Sequence, residues 1–319
     1  MRVLVVTNMW PSAERPASGS FVRDQVRALE ALPEVDLQLF AFPHGGGWPA
    51  YLRAARTLRR RFSGEHFDVV HAHYGLSGWS ALAAPRPQAR VVTYHGTDLH
   101  DGVVGPLSRA LAALVDVPAT VSAGLARDPA AGLRGAGVSR RVAILPCGAD
   151  LDRFRRLDRR EARRRLGLDP EGRYLLFPAA PARPEKRHDR ARLVAEGLPG
   201  TELLTLGAVA PEDVPAMVNA ANAVLVTSAR EAFGLAAIEA LACDVPVLST
   251  DVGVAPVALS GLPGTLCAPF DRDTWLAAAR PLVEADDPRV AGRARAKAFS
   301  SARMAERVAA AYRDVVEPR

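Results

Sequence analysis

A chain of 319 residues with 49% hydrophobic and 24% charged side chains can bury one large core or two ordinary ones, which excludes a disordered or fibrous protein. The balance of 41 Lys and Arg against 35 Asp and Glu gives +6, an excess too diffuse for nucleic acid and suited to an anionic small ligand. A reduced cytoplasmic protein is expected: no run reaches the roughly 18 apolar residues of a membrane span, the apolar start is too short for a signal peptide, and Cys147, Cys243 and Cys267 are few and far apart.

Val3 to Val6 is a continuous apolar run, the pattern of a buried parallel strand. A loop rich in Pro, Gly and Ser follows from Asn8 to Phe21, and an amphipathic helix is predicted from Val22 to Leu32. A strand ending in a glycine loop that opens a helix faces anions, although Gly-x-Gly-x-x-Gly is absent. A second strand covers Val35 to Phe42. The next predicted helix, Tyr51 to Phe62, carries Arg53, Arg56, Arg59, Arg60 and Arg61 between Leu52, Ala55 and Leu58. That basic amphipathic face reads either as solvated surface or as a peripheral contact with anionic lipid.

Phe67 to Gly75 is a strand running into a loop, and its His71 and His73, two apart, share a face. Metal is not expected there, because no other histidines repeat the pattern. In the next strand and turn, Arg90 to Asp98, His95 has two readings: a hydrogen-bond donor to a ligand hydroxyl or phosphate, or a ring bonded to its own turn with Asp98 as a helix cap. Pro118 to Ser122 is a further strand. The Pro and Gly between Ala143 and Phe154 break any regular element, and a domain boundary is placed near Leu151.

Leu157 to Leu166 is a helix of alternating charge, expected to be solvated. Tyr174 to Phe177 and Glu202 to Gly207 are strands, the first followed by the loop Pro178 to Asp189. Ala223 to Val226 is another apolar strand, Thr227 to Arg230 a polar turn, Phe233 to Ala242 a helix, and Val245 to Leu248 a strand. A helix opening at a sheet's carboxyl edge turns its free N–H groups toward an anion, and Gly234 removes the Cβ that would keep one away. Phosphate is therefore predicted at Phe233, Gly234, Leu235 and Ala236. Glu231 and Glu239, eight apart, would lie on one side of the element and accept paired hydrogen bonds from the vicinal hydroxyls of a ribose and a hexose. The alternative is an acid at a helix start and an exposed helical acid. A final helix, Ala302 to Val316, has Met304, Val308, Ala309 and Tyr312 on one side.

The run Ser228-x-x-Glu-x-Phe-Gly-Leu, the Glu231-x7-Glu239 spacing, and Glu239-Ala-Leu-Ala-Cys-x-x-Pro-Val-Leu-Ser-Thr-x-Val-Gly253 together resemble the signature of the family 4 retaining glycosyltransferases. The resemblance spans nearly the whole length. It implies the α/β GT-B fold: two Rossmann-like domains with parallel sheets facing across a cleft, and a C-terminal helix crossing back to the first domain. Residues 1–150 would be the acceptor domain, 151–300 the nucleotide-sugar donor domain and 301–319 the returning helix.

The resemblance also assigns roles. Gly19 would lie in the loop over the donor phosphates, Val209 beside the nucleotide base, and Lys186 on the diphosphate. The family's clamp arginine is displaced here, since Pro181 stands at its position, and Arg183 is the substitute in the same loop. Glu231 and Glu239, with Ala232, Phe233, Gly234 and Leu235 between them, would hold the donor; His95 would meet the reacting sugar, and His73 and Asp98 would border the acceptor or the cleft. The implied reaction is metal-independent transfer from a nucleotide-diphosphate sugar to an acceptor hydroxyl on a glycan, lipid or small molecule, with no cofactor. An Asp-x-Asp metal motif is not read in the chain. The alternatives are a GT-B epimerase or phosphorylase, a non-catalytic sugar-nucleotide binder, and a metal hydrolase built on His71 and His73.

Overall fold

The computed structural model describes residues 1–12, 15, 18–43, 46–133, 142–207 and 209–317. They form two compact units, Met1–Gly148 with Ser301–Arg319, and Ala149–Ser300.

The first unit is built on a parallel sheet of β1 (Arg2–Thr7), β2 (Asp36–Ala41), β3 (Val69–His73), β4 (Ala89–Tyr94), β5 (Val117–Thr120) and β6 (Ala143–Ile144), in the order β2-β1-β3-β4-β5-β6. Between them run α1 (Ser20–Glu30), α2 (Gly47–Arg61), α3 (Gly75–Ala81), α4 (Thr97–His100), α5 (Val104–Ala112) and α6 (Ala123–Arg127). Strands such as β1, with Val3 to Val6 wholly buried, are apolar on both faces because helices cover both.

The second unit has β7 (Arg173–Phe177), β8 (Thr201–Thr205), β9 (Ala223–Val226), β10 (Val247–Ser249) and β11 (Leu266–Cys267), ordered β11-β10-β9-β7-β8 and again parallel. Its helices are α7 (Arg159–Arg165), α8 (His188–Glu196), α9 (Val214–Ala220), α10 (Leu235–Ala242), α11 (Ala255–Ala258), α12 (Arg272–Glu284) and α13 (Gly292–Ala296). Leu175, Phe177, Leu225 and Leu248 meet Val194 of α8 and Trp275, Ala279 and Val283 of α12 in its core.

The last helix, α14 (Ser301–Val316), returns to the first unit. Met304, Val308, Ala309 and Tyr312, spaced for one helical face, are buried against Val3, Val5 and Val69 of the sheet and Val26 and Leu29 of α1. Each sheet reverses its winding once, between β1 and β3 and between β7 and β9, and loops leaving the carboxyl ends at such a point open a crevice for ligands.

The charged helix α7 departs from its expected solvation. Arg159 and Arg163 are nearly inaccessible, at 2% and 3%. Arg163 donates to the carbonyls of Ala220 and Pro170 and to Asn222 Oδ1, and lies over the Tyr174 ring. Its guanidinium satisfies a helix-to-strand corner that apolar residues would leave with unpaired carbonyls.

Candidate functional site

In the second unit the winding reversal brings the loops after β7, β9 and β10 together. Thr227 donates its hydroxyl to the carbonyls of Lys186 and Arg187, Ala229 N–H to the carbonyl of Glu185, and Thr250 its hydroxyl to the carbonyl of Ser228. This backbone stitching places Lys186 Nζ 2.5 Å from Glu231 Oε1, which also accepts the Ser228 hydroxyl at 2.8 Å. Both partners are largely shielded, at 17% and 12% exposure, so the pair is held more firmly than a surface ion pair. Glu231 Oε2 has no partner among the described residues.

Gly234, in the left-handed region at φ 88°, is the N-cap of α10. The helix begins at Leu235 rather than Phe233, so Glu231 stands in the preceding loop and the two-turn spacing argument for Glu231 and Glu239 does not apply to it. The loop contacts, not helical periodicity, fix Glu231. Glu239 is half-buried on α10, and Ala232 is half-buried in the turn. Phe233 points its ring inward, edge-on to Phe299, and offers its carbonyl to Val254 N–H at 2.7 Å. That contact explains Gly253, which sequence reasoning quoted without a role. A Cβ there would fall 2.3 Å from the Phe233 carbonyl oxygen, and its φ of +57° already disfavours any other residue.

Arg183 is half-exposed and paired with Glu185 in its own loop. Val209 is half-buried in the loop after β8. Neighbouring Gly207 lies close enough to Ala180 and Pro181 for an added Cβ to touch them, while Ala208 lies outside the described residues. Two Asp-x-Asp triplets do occur, Asp150-Leu-Asp152 and Asp271-Arg-Asp273, which corrects the reading that the chain lacks one. In each, the first carboxylate caps backbone: Asp150 accepts from the N–H of Asp152 and Arg153, and Asp271 from Thr274 N–H at the start of α12.

In the first unit, Gly19 is the left-handed N-cap of α1, and a Cβ on it would collide with the Met9 carbonyl at 2.3 Å. Asn8 and Ser77 exchange hydrogen bonds between the loop after β1 and α3. The histidines form a buried group on one face of the sheet. His71 Nδ1 lies 2.6 Å from the Tyr312 hydroxyl and Nε2 2.8 Å from Thr93 Oγ1, so both its ring nitrogens are taken up inside the core. His73 Nδ1 is 3.1 Å from His95 Nε2, and its own Nε2 is 3.4 Å from the amide nitrogen of Gln25. Burial, then mutual repulsion, holds His71 and His95 well below the ordinary imidazole range, and burial pushes His73 down to about 3. All three rings are neutral at pH 7.

Two of the expected residues lie deep in the unit. His73, read as bordering the acceptor, is fully buried beneath His95 and meets protein groups with both nitrogens. Asp98, read the same way, is also fully buried, and accepts from Gly75 N–H and His95 N–H, each at 3.0 Å. It ties the turn after β4 to the start of α3, and burial raises its carboxyl to about 6. His95 is the member of the group that reaches the edge: it is half-buried and packs against Phe21 at 4.9 Å. A signal that sequence reasoning missed is Tyr74, whose φ of 81° is unusual for a side chain with a Cβ and marks the strained strand-to-helix turn between His73 and α3.

Comparison with known proteins agrees with this layout. Residues 1–153 match the model for Glycosyltransferase Family 4, and residues 184–299 the model for Glycosyl transferases group 1. A D-inositol 3-phosphate glycosyltransferase of Mycolicibacterium paratuberculosis is 31% identical over 92% of this chain and 74% of its own. Among solved structures, a sucrose-phosphate synthase from Thermosynechococcus elongatus superposes with a TM-score of 0.78 at 19% identity, over 98% of both chains. Anabaena HepE, crystallised with UDP, superposes with a TM-score of 0.67 at 16% identity, over 98% of this chain and 99% of its own. The chain belongs to the family 4 glycosyltransferases, and its two parallel α/β units have the GT-B fold.

Proposed function

We propose that this glycosyltransferase moves a sugar from a nucleoside diphosphate to an acceptor hydroxyl with retention at the anomeric carbon, and that it does so without a metal ion or other cofactor. The observation that carries the reading is the Lys186–Glu231 pair at the winding reversal of the second unit, beside the N-terminus of α10. A carboxylate that orients an ammonium leaves the other N–H groups of that ammonium for a phosphate oxygen, and its own free oxygen for a sugar hydroxyl. The backbone N–H groups of Gly234, Leu235 and Ala236 meet the diphosphate, Glu239 the ribose hydroxyls, Val209 the base, and the loop of Gly19 the donor phosphates. Arg183 supplies a second cation when it leaves Glu185.

In the reaction, the acceptor oxygen bonds to the anomeric carbon on the face from which the diphosphate departs. The broken bond's electron pair goes to the phosphate oxygen, which takes the acceptor's proton. The protein's work is to stabilise the charge growing on that oxygen, which a fixed cation and a helix end accomplish. His95 donates a hydrogen bond to the reacting sugar. UDP sugars are the first donors to test, and D-inositol 3-phosphate, the acceptor named for the relative above, is the first acceptor. The test is product stereochemistry: the anomeric proton of the product, followed by NMR with EDTA present, should show the donor's configuration. Inversion, or turnover that appears only on adding a divalent ion, contradicts the proposal.

The exposed side of α2 supports peripheral attachment to an anionic membrane. Trp48 and Leu52 are 50% and 59% exposed beside Arg53, Arg56, Arg59, Arg60 and Arg61, none of which pairs with an acid among the described residues. Co-sedimentation with phosphatidylglycerol vesicles but not with neutral ones, lost in Trp48→Glu, is the expected result; equal recovery with both vesicle types contradicts it.

A further inference from the structure

The three clustered histidines are not equivalent, and the difference decides what His95 can do. His71 is closed off by Tyr312 and Thr93. His73 and His95 form a separate line that begins at Gln25 on α1 and ends at the edge of the sheet. An amide nitrogen can only donate, so the nitrogen of Gln25 makes His73 Nε2 an acceptor. A neutral imidazole carries one proton, so the proton of His73 sits on Nδ1, the atom 3.1 Å from His95 Nε2. His95 Nε2 must then accept, and the His95 proton sits on Nδ1, which has no partner among the described residues.

We infer that His73, oriented by Gln25, is a positioning residue that fixes the proton of His95 on Nδ1, so that His95 meets the reacting group as a hydrogen-bond donor and not as a base. The ring geometry supports a fixed line: His73 and His95 are stacked with centroids 5.3 Å apart, and Phe21 packs on the far ring at 4.9 Å. The backbone of His95 is separately anchored by Asp98. A donor that cannot take a proton is what substrate-assisted transfer needs, because the departing phosphate is then the acceptor of the hydroxyl proton. The catalytic use of this N–H rests on the glycosyl-transfer reading above; the position of the proton does not.

The experiment separates the two. With histidine ring nitrogens labelled, a proton–nitrogen correlation spectrum of the whole, ligand-free protein at neutral pH should show Nδ1 protonated and Nε2 bare in both His73 and His95. A His95 proton on Nε2, or a mixture of both forms, overturns the inference, and this result does not depend on any activity. Kinetics then test the role. His73→Leu removes the donor and should lower kcat about 10- to 100-fold with KM little changed, as loss of an outer hydrogen-bonding partner does elsewhere. His73→Asn keeps an N–H donor on a short side chain and should recover much of that loss. Equal losses in the two variants would mean that His73 merely fills space, and would overturn the positioning role; if neither variant folds, the wild-type spectrum still decides.

Discussion

The carboxyl edges of the two sheets are built from opposite kinds of side chain. In the first unit the imidazoles near the winding reversal are neutral: burial lowers His71, His73 and His95, and their order is kept by hydrogen bonds to Gln25, Thr93 and Tyr312. In the second, Lys186 and Glu231 form a largely shielded ion pair beside a helix end. Neutral donors recognise hydroxyls without drawing in an anion; a cation and a helix N-terminus draw in a diphosphate. The same sheet topology therefore carries two kinds of edge: buried imidazoles linked by hydrogen bonds in one, and an ion pair beside a helix end in the other.

Removing the charge should have the largest effect. Lys186→Ala is expected to lower kcat about 100- to 1,000-fold in steady-state assays, the cost of one missing donor to a developing oxyanion. The chain should remain folded, because the loop is stitched through the backbone of residues 185–187 rather than through the lysine side chain.

A single methyl group should break either edge through its backbone. Gly253→Ala in the second unit and Gly19→Ala in the first each put a Cβ 2.3 Å from a carbonyl oxygen at a positive φ. Each should cost about 3 kcal/mol in chemical denaturation. A loss below ~1 kcal/mol at either position would show that its loop yields more easily than the contacts imply.

Acid should single out the first unit. His73 is lowered from 6.5 to about 3 in the folded state, so its contribution to stability is complete above pH 6.5 and is lost as pH falls toward 3. Between pH 6.5 and 5 this amounts to about 2 kcal/mol, and His71 and His95 act in the same direction. Asp98 opposes them: raised from 3.8 to about 6, it is most favourable below 3.8 and loses that contribution as pH rises through 6. Urea unfolding across this window should show a net loss of stability on acidification, and a flat profile would mean that the imidazoles are hydrated. The smallest effect is expected at Arg183. Already paired with Glu185 and 54% exposed, Arg183→Ala should raise the donor KM about fivefold, close to ~1 kcal/mol.

The alternation of strands and helices was legible because buried parallel strands such as Val3 to Val6 are continuous apolar runs, and the unit around α10 because Glu231, Gly234 and Glu239 lie close in sequence. Contacts made across the fold were not. His71 meets a tyrosine 241 residues away, and only the register of β3 against β4 brings His73 under His95. Arg159 and Arg163 look solvated in a run of alternating charge, and only the packing of α7 shows them buried. The position of Glu231 is fixed by loop hydrogen bonds that the sequence does not display, and not by the helical repeat.

The central claim, a diphosphate site at Lys186, Glu231 and α10, is tested most directly by thermal stabilisation with UDP, GDP, ADP and dTDP in EDTA, on wild type, Lys186→Ala and Glu239→Ala. At one hundred times its dissociation constant a nucleotide stabilises by about 2.7 kcal/mol, a shift of several degrees. The account predicts that one nucleotide produces this shift in the wild type despite EDTA and that both variants lose it. Stabilisation by none of the four, or an equal shift in all three proteins, would contradict it.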